Sequence, residues 1–322
     1  MRVSSRSRVA LVAGAVALVA CGSPSPSTSA GSAGTGNSAA GTSTGGAGGT
    51  TTTTGGSATA GGSAGQAGSS GSAAATTHFG QVVVQSLLRG LGPTVNARFQ
   101  SGIEPGTETK CTRVNDGPCT ASTCDEAPAG GTKTIFASAG TVTITSTEVT
   151  GTATLEPDAA NEYPGPSSPP FAMDFLGGEH VQFKATGATV PAFSGELSVP
   201  LVLLLSQPLF VKGAASLDVP RSQDLSLAWT RGVDGVFLYL TAASQRADGM
   251  PGNAYLTCQI PSETGSATIK SSMLQLLAAE TQLTAFSISA KVIAAGEYSI
   301  TLATTMPTAN PDKDLIPRIT LK

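Results

Sequence analysis

Residues 22–77 contain no charged or aromatic side chain and no Val, Ile, Leu or Met. They consist of Gly, Ser, Thr and Ala, with two Pro, one Asn and one Gln. A segment of this kind cannot bury enough apolar surface to offset the entropy lost on ordering. The sequence therefore predicts a disordered tether over 21–77, and any hydrophobic core has to come from residues 78–322.

A short apolar run precedes the tether. Val9–Ala20 follows a basic start that carries three arginines, and it is twelve residues long. Spanning a bilayer takes about 20 apolar residues, so this run is too short for a transmembrane helix. A basic start, a short apolar core and small residues at its end are typical of a secretory signal peptide, here residues 1–20.

The end of the apolar run has a distinct motif. Leu18-Val19-Ala20-Cys21 resembles the lipobox of bacterial lipoproteins, with Leu three positions before the cleavage point and Cys directly after it. The resemblance implies that Cys21 becomes the N-terminal residue and carries acyl chains such as palmitate. More than one acyl chain is needed for stable anchoring. Gly22 and Ser23, rather than Asp, follow the cysteine, which favours the outer membrane by the same resemblance.

The composition of residues 78–322 bounds the possible partners. This region has 15 basic and 21 acidic residues, a net charge of −6, and no basic cluster. Such a balance argues against nucleic acid binding and against electrostatic docking on anionic lipid. Exposed aromatic residues for a carbohydrate-binding face are also scarce, with one Trp and four Tyr in the whole chain.

Alternation of apolar and polar residues predicts an all-β fold. Period-two alternation is the pattern of half-buried strands, and Asp-Gly pairs mark tight turns. The single helical candidate is Ser271–Glu280, and no long helices alternate with the strands. We expect an antiparallel β-sandwich. The alternating segments are 141–145, 181–185, 224–229, 286–289 and 298–302, and the turn signals are Asn115-Asp116-Gly117 and Asp234-Gly235.

Two features leave the domain organisation open. Five prolines fall in residues 154–170, so the part near 157–170 is either a linker between two β subdomains or an excursion from one sandwich. Trp229 and Cys258 lie as in immunoglobulin-like domains, but no cysteine precedes the tryptophan on a neighbouring strand. The stretch Gly178–Leu277 is similar to uncharacterised lipoproteins of bacterial envelopes, a resemblance that implies no activity.

The cysteines of the folded region predict disulfide bonds. Four cysteines remain after Cys21, and an even number of cysteines in an exported domain is typical of disulfide bonding, here two bonds. If all four are oxidised, Cys258 has to pair within the Cys111, Cys119 and Cys124 cluster. Its partner stays open. A zinc site is the rival, but the close Cys pair that such sites have at each end is missing.

Other candidates for chemistry are weak, and the sequence predicts no catalytic residue, metal site or cofactor. His180, with Glu179 and Asp174 nearby, has the residue types of a general base or a metal ligand. Its alternation with Val181 favours an exposed position. Residues 310–314 place oxygen donors at alternate positions, as in a calcium loop, but the EF-hand Gly and Glu are absent.

Together these features predict a lipid-anchored envelope protein. Its β-sandwich is expected to act as a binding or structural module that contacts an envelope protein or a cell-wall polymer. The alternative is a secreted hydrolase whose site carries no recognisable motif. A pocket that gathers His180 with carboxylates and a hydroxyl group would favour that alternative.

Overall fold

The computed structural model describes residues 78–86, 92–107, 109–208, 216–230, 232–309 and 318–322. The lipobox at Leu18–Cys21, the tether and the calcium-loop candidate at 310–314 all lie outside these ranges. The strands, in chain order, are β1 Phe79–Gln85, β2 Thr94–Ile103, β3 Cys111–Asp116, β4 Cys119–Asp125, β5 Thr134–Phe136, β6 Val142–Ser146, β7 Thr152–Leu155, β8 His180–Ala185, β9 Phe193–Ser198, β10 Leu205–Gln207, β11 Ser216–Val219, β12 Leu225–Trp229, β13 Val236–Gln245, β14 Gly252–Pro261, β15 Ser266–Ile269, β16 Gln282–Ala295, β17 Tyr298–Pro307 and β18 Arg318–Leu321.

The largest sheet has eleven described strands. Nine of them follow the order β3-β4-β14-β13-β16-β17-β1-β2-β5, and β18 pairs with both β16 and β11. Most neighbours are antiparallel, as expected for the sandwich. The β1–β17 and β11–β18 pairs are parallel, so this sheet is mixed.

Two smaller sheets complete the sandwich, and each corresponds to its own core. The first core combines residues of the four-stranded sheet β7-β6-β8-β9 with residues of β1, β2 and β17. Residues of the three-stranded sheet β10-β12-β15 join residues of β4, β13 and β14 in the second core. The predicted all-β sandwich is therefore confirmed, with two cores along one large sheet.

Strand β16 belongs to both cores. Leu283, near its start, is buried in the second core, whereas Ala295, at its end, is buried in the first. Both are odd-numbered, and odd-numbered residues of one strand share a face. The even-numbered Phe286 and Ile288 belong to a third buried cluster. One fourteen-residue strand thus connects the two halves of the sandwich.

The proline-containing stretch 157–170 has both its flanks in one core. Leu155, Tyr163 and Phe171 all pack in the first core. After this stretch the chain contributes to the first core up to Val199 and enters the second core at Leu203.

Two local expectations need correction. The helical candidate Ser271–Glu280 forms only a single turn, α1 Ser271–Leu274, because the chain then forms a bridge between Leu277 and Arg246. Asp234-Gly235 does form a turn, but no hairpin, since the flanking strands β12 and β13 lie in different sheets. No helix in the described ranges is long and apolar enough to cross a membrane.

Candidate binding surface at loops 172–179 and 199–203

His180 is the first residue of β8, and its position follows from the alternation of that strand. The even-numbered residues of β8 are exposed and the odd-numbered ones are buried. Its Nδ1 lies 3.1 Å from Oε1 of Glu196 on the neighbouring strand β9. Glu196 is two residues from Ser198, the register partner of His180, so this is a diagonal cross-strand pair. Both side chains are about half exposed (50% and 51%).

Glu148 is held by groups from its own turn and from β8. Its Oε2 accepts a hydrogen bond from the His180 backbone N–H at 3.0 Å and lies 3.2 Å from the Ser146 hydroxyl. Hydrogen bonds from the Thr147 hydroxyl, the largest cause, and from the His180 N–H lower the pKa of the Glu148 carboxyl. The Glu148 carboxylate therefore pairs with the first backbone N–H of β8.

Glu179 fixes the loop that precedes β8. Its two carboxylate oxygens accept hydrogen bonds from the backbone N–H groups of Leu176 and Gly177, each at 2.8 Å. Bonds from backbone N–H groups to a carboxylate are stronger than neutral ones. Glu179 therefore holds this loop in one conformation.

The predicted grouping of His180 with Glu179 and Asp174 does not form a metal site. In the described part of the chain, no group of three or more His, Cys, Asp or Glu side chains is placed to hold a metal ion. The Glu179 carboxylate already accepts a backbone hydrogen bond from its own loop. The half-buried Asp174 lies earlier in the sequence of that loop. Within the same described residues, the His180 ring contacts the Glu196 carboxylate and forms no hydrogen bond to a Ser or Thr hydroxyl.

The loop held by Glu179 exposes large apolar side chains. Leu176 is 70% exposed and Met173 is 59% exposed. Leu201, on the segment that follows β9, is 51% exposed. Apolar side chains on a monomer surface are ordinary when scattered, but a contiguous group marks an interaction site.

The two segments that carry Leu176 and Leu201 touch. A Cβ added to Gly177 would lie 3.0 Å from Leu201 Cα and 3.1 Å from its Cδ2, closer than most Cβ contacts, which favours glycine here. The Gly177 φ of +107° also requires glycine. Backbone hydrogen bonds from the Gly178 N–H to the Val199 carbonyl and from the Val199 N–H to the Glu179 carbonyl, each at 2.8 Å, keep the segments together.

A further hydrogen bond connects Leu201 to the large sheet. The Ser287 hydroxyl on β16 donates to the Leu201 carbonyl at 3.0 Å. We name the exposed side chains of Met173, Leu176 and Leu201 the apolar loop surface. Sequence analysis missed it, because an apolar residue in a loop gives no periodic signal that separates an exposed position from a buried one.

The four cysteines of the folded region form two disulfides, as expected. Cys119 is bonded to Cys258, and Cys111 to Cys124. Both bridges join residues that are direct register partners on adjacent antiparallel strands. This pairing identifies the partner of Cys258 and leaves no thiolates for the rival zinc site.

Comparisons with known proteins give little further information. No protein-family model matches the chain, and no curated protein is significantly similar to it. Among solved structures, it is similar to the FN1-FN3 domains of chicken CNTN1 with 11% sequence identity and a TM-score of 0.14. The match covers 63% of this chain and 66% of that chain, slightly under two thirds of the latter.

Proposed function

We propose that this chain is a lipid-anchored lipoprotein of the bacterial cell envelope, located in the outer membrane, that presents a β-sandwich as a binding module. The lipobox-like residues Leu18–Cys21 support the anchor. Two disulfides support an oxidising compartment, because such bonds persist outside the cytoplasm.

The apolar loop surface is the observation that carries the binding role. Leu176 and Leu201 are exposed although their segments are held by hydrogen bonds that the Glu179 carboxylate accepts and that the Ser287 hydroxyl donates. A pre-organised surface loses little entropy on binding. Its partner is an envelope protein or a cell-wall polymer.

The anchor is tested by the substitution Cys21→Ser. We expect the variant to lose acyl labelling and to leave the membrane fraction. A variant that remains acylated and membrane-bound would contradict the proposed anchor, and would leave the binding role to be tested separately.

The binding role is tested by a photo-crosslinking residue at position 176 in intact cells. The matched control places the same residue at Met250, which is likewise exposed (59%, against 70% for Leu176) but lies in the β13–β14 turn. We expect a discrete adduct from position 176 that Leu201→Ser weakens, and none from position 250. Equal labelling from both positions would show that the apolar loop surface is not a specific site.

A further inference from the structure

Strand β3 is an edge of the eleven-stranded sheet. It pairs with β4 on one side, and no described strand pairs with its other side. All six of its residues, Cys111–Asp116, are exposed. The other side of β3 therefore offers a row of backbone groups to an additional strand.

The ladder shows which backbone groups point outward. Asp125 N–H donates to the Lys110 carbonyl at 2.9 Å, so Lys110 occupies a hydrogen-bonded position opposite Asp125. Such positions alternate along an antiparallel pair. Residues 112, 114 and 116 therefore bond to β4, whereas the N–H and C=O groups of residues 111, 113 and 115 point away from it.

Strand β3 has few of the features that block edge pairing. Its pairing with β4 continues without a register shift, so it carries no bulge, and its six residues include no Pro or Lys. Its charged residues are Arg113 and Asp116, which have opposite signs. The hairpin is closed by Gly117, with φ of +54°, and tied by the Cys111–Cys124 disulfide. This edge is thus regular and held in place.

We propose that β3 pairs with β3 of a second copy of this chain, antiparallel about a two-fold axis through Val114. Because the backbone N–H and C=O groups of residues 111, 113 and 115 point away from β4, the odd-numbered residues of one copy have to lie opposite odd-numbered residues of the other. Centring the pair on Arg113 would place two guanidinium groups directly opposite each other, which is destabilising. Centring it on Val114 places two 47% exposed Val side chains together instead.

This register places no like charges directly opposite each other and brings one pair of opposite charges within reach. Thr112 of one copy lies opposite Asp116 of the other, and Arg113 lies opposite Asn115. Lys110 lies diagonal to Asp116 of the second copy, within reach of a long side chain, and the symmetry repeats each contact. The pairing joins two eleven-stranded sheets into one continuous sheet.

The first test is symmetric cysteine crosslinking of the full chain. Val114→Cys places two sulfurs on the axis at a non-hydrogen-bonded position, the same kind of position that Cys111 and Cys124 occupy. We expect a covalent dimer in non-reducing gels, with both native disulfides intact by mass spectrometry. The matched control, Thr112→Cys, faces Asp116 and should give at least tenfold less dimer. Equal yields from the two variants would overturn the proposed register.

The second test uses proline to block the edge. The Arg113 N–H points away from β4, so Arg113→Pro removes an outward donor without breaking a bond to β4. In sedimentation velocity we expect the unmodified chain to be a dimer, and Arg113→Pro to raise its dissociation constant at least tenfold. Arg113→Ala keeps the N–H and should remain dimeric.

A third variant keeps the test decisive if Arg113→Pro does not fold. Val114→Glu places two carboxylates opposite each other on the axis, at an exposed position that tolerates polar residues, and should also give a monomer. An unmodified chain that is monomeric at every concentration, or a Val114→Glu variant that is still dimeric, would overturn the proposal. If the chain is a monomer, the open edge of β3 is available for pairing with a strand of a different protein instead.

Discussion

Cys119 and Cys258 lie directly opposite each other on β4 and β14, with Cα atoms 4.0 Å apart and their sulfur atoms bonded. Both side chains are buried in the second core. The bond joins residues separated by 139 positions, so it ties the short β3–β4 hairpin to the C-terminal half of the sheet.

We expect Cys258→Ser to lower the free energy of unfolding by about 2–4 kcal/mol. The chain-entropy model predicts that a disulfide closing so long a loop stabilises the fold by about 5 kcal/mol. The stability lost on removing such a bond is usually smaller. Urea denaturation followed by circular dichroism measures the change, and one thiol, on Cys119, should become reactive after unfolding.

The matched control for this prediction is Cys111→Ser. Its bridge to Cys124 spans only 13 positions, and the same entropy model gives about 3 kcal/mol for a loop of about 15 residues. Cys111 is also exposed. The loss should therefore be smaller than for Cys258→Ser, and the reverse order would contradict the entropic explanation.

Tyr163 fastens the 157–170 stretch to the first core. Its hydroxyl accepts a hydrogen bond from the Ala139 N–H at 2.7 Å and donates to the Gly140 carbonyl at 2.8 Å. Tyr163→Phe leaves a buried N–H without its partner, which should cost about 1–3 kcal/mol in urea unfolding. Tyr255→Phe, at a 43% exposed position, should change the stability by less than about 0.5 kcal/mol. Similar losses in the two variants would argue against this role of the Tyr163 hydroxyl.

Asp224 should make stability depend on acidic pH. A hydrogen bond from the Ser271 backbone N–H, followed by one from the Lys270 ammonium, lowers the pKa of its carboxyl. A folded-state pKa below the unfolded value means that the stabilisation is present above the unfolded pKa and is lost as the pH falls through the folded pKa. Asp224→Asn should therefore flatten the acid limb of stability against pH. An NMR titration that finds an ordinary Asp224 pKa would refute this.

His180 and Glu179 are neighbours in sequence, but we expect different effects from their removal. His180→Ala removes only a half-exposed contact with the Glu196 carboxylate, so stability should change by less than about 0.5 kcal/mol. Glu179→Ala removes the acceptor of two backbone N–H groups and should cost about 1–2 kcal/mol. Thermal and urea unfolding of both variants decides the matter, and a larger loss for His180→Ala would reverse our assignment.

The sequence predicted those elements whose two faces have different surroundings. In β8, buried Val181 and Phe183 alternate with exposed His180 and Gln182, and the pattern was clear. Strand β16 was recognised only over 286–289, where Phe286 and Ile288 alternate with serines in the sequence. The alternation there does not mark a solvated face, because Ser287 is buried between them.

Apart from the pairing of Cys258 with the cysteine cluster at 111–124, contacts between distant segments could not be predicted. Nothing in residues 79–85 indicates a parallel partner near the end of the chain, yet β1 pairs with β17. The candidate surface was missed for a related reason. Leu176 is exposed because Glu179, Gly177 and Leu201 fix its loop, and those contacts are spread over two segments.

The parallel pairing of β1 with β17 also determines the order in which the molecule can be completed. Phe79 is synthesised early, but its register partner on β17, Ser299, lies in the last tenth of the chain and is synthesised much later. Until then, β1 can pair only with β2, and Val82 and Val84 lack Ile300 and Leu302 beside them in the first core. A nascent chain that stops before β17 would therefore expose apolar residues of the first core and be sensitive to proteases. Folding of this core would be completed late and cooperatively, once β17 is available.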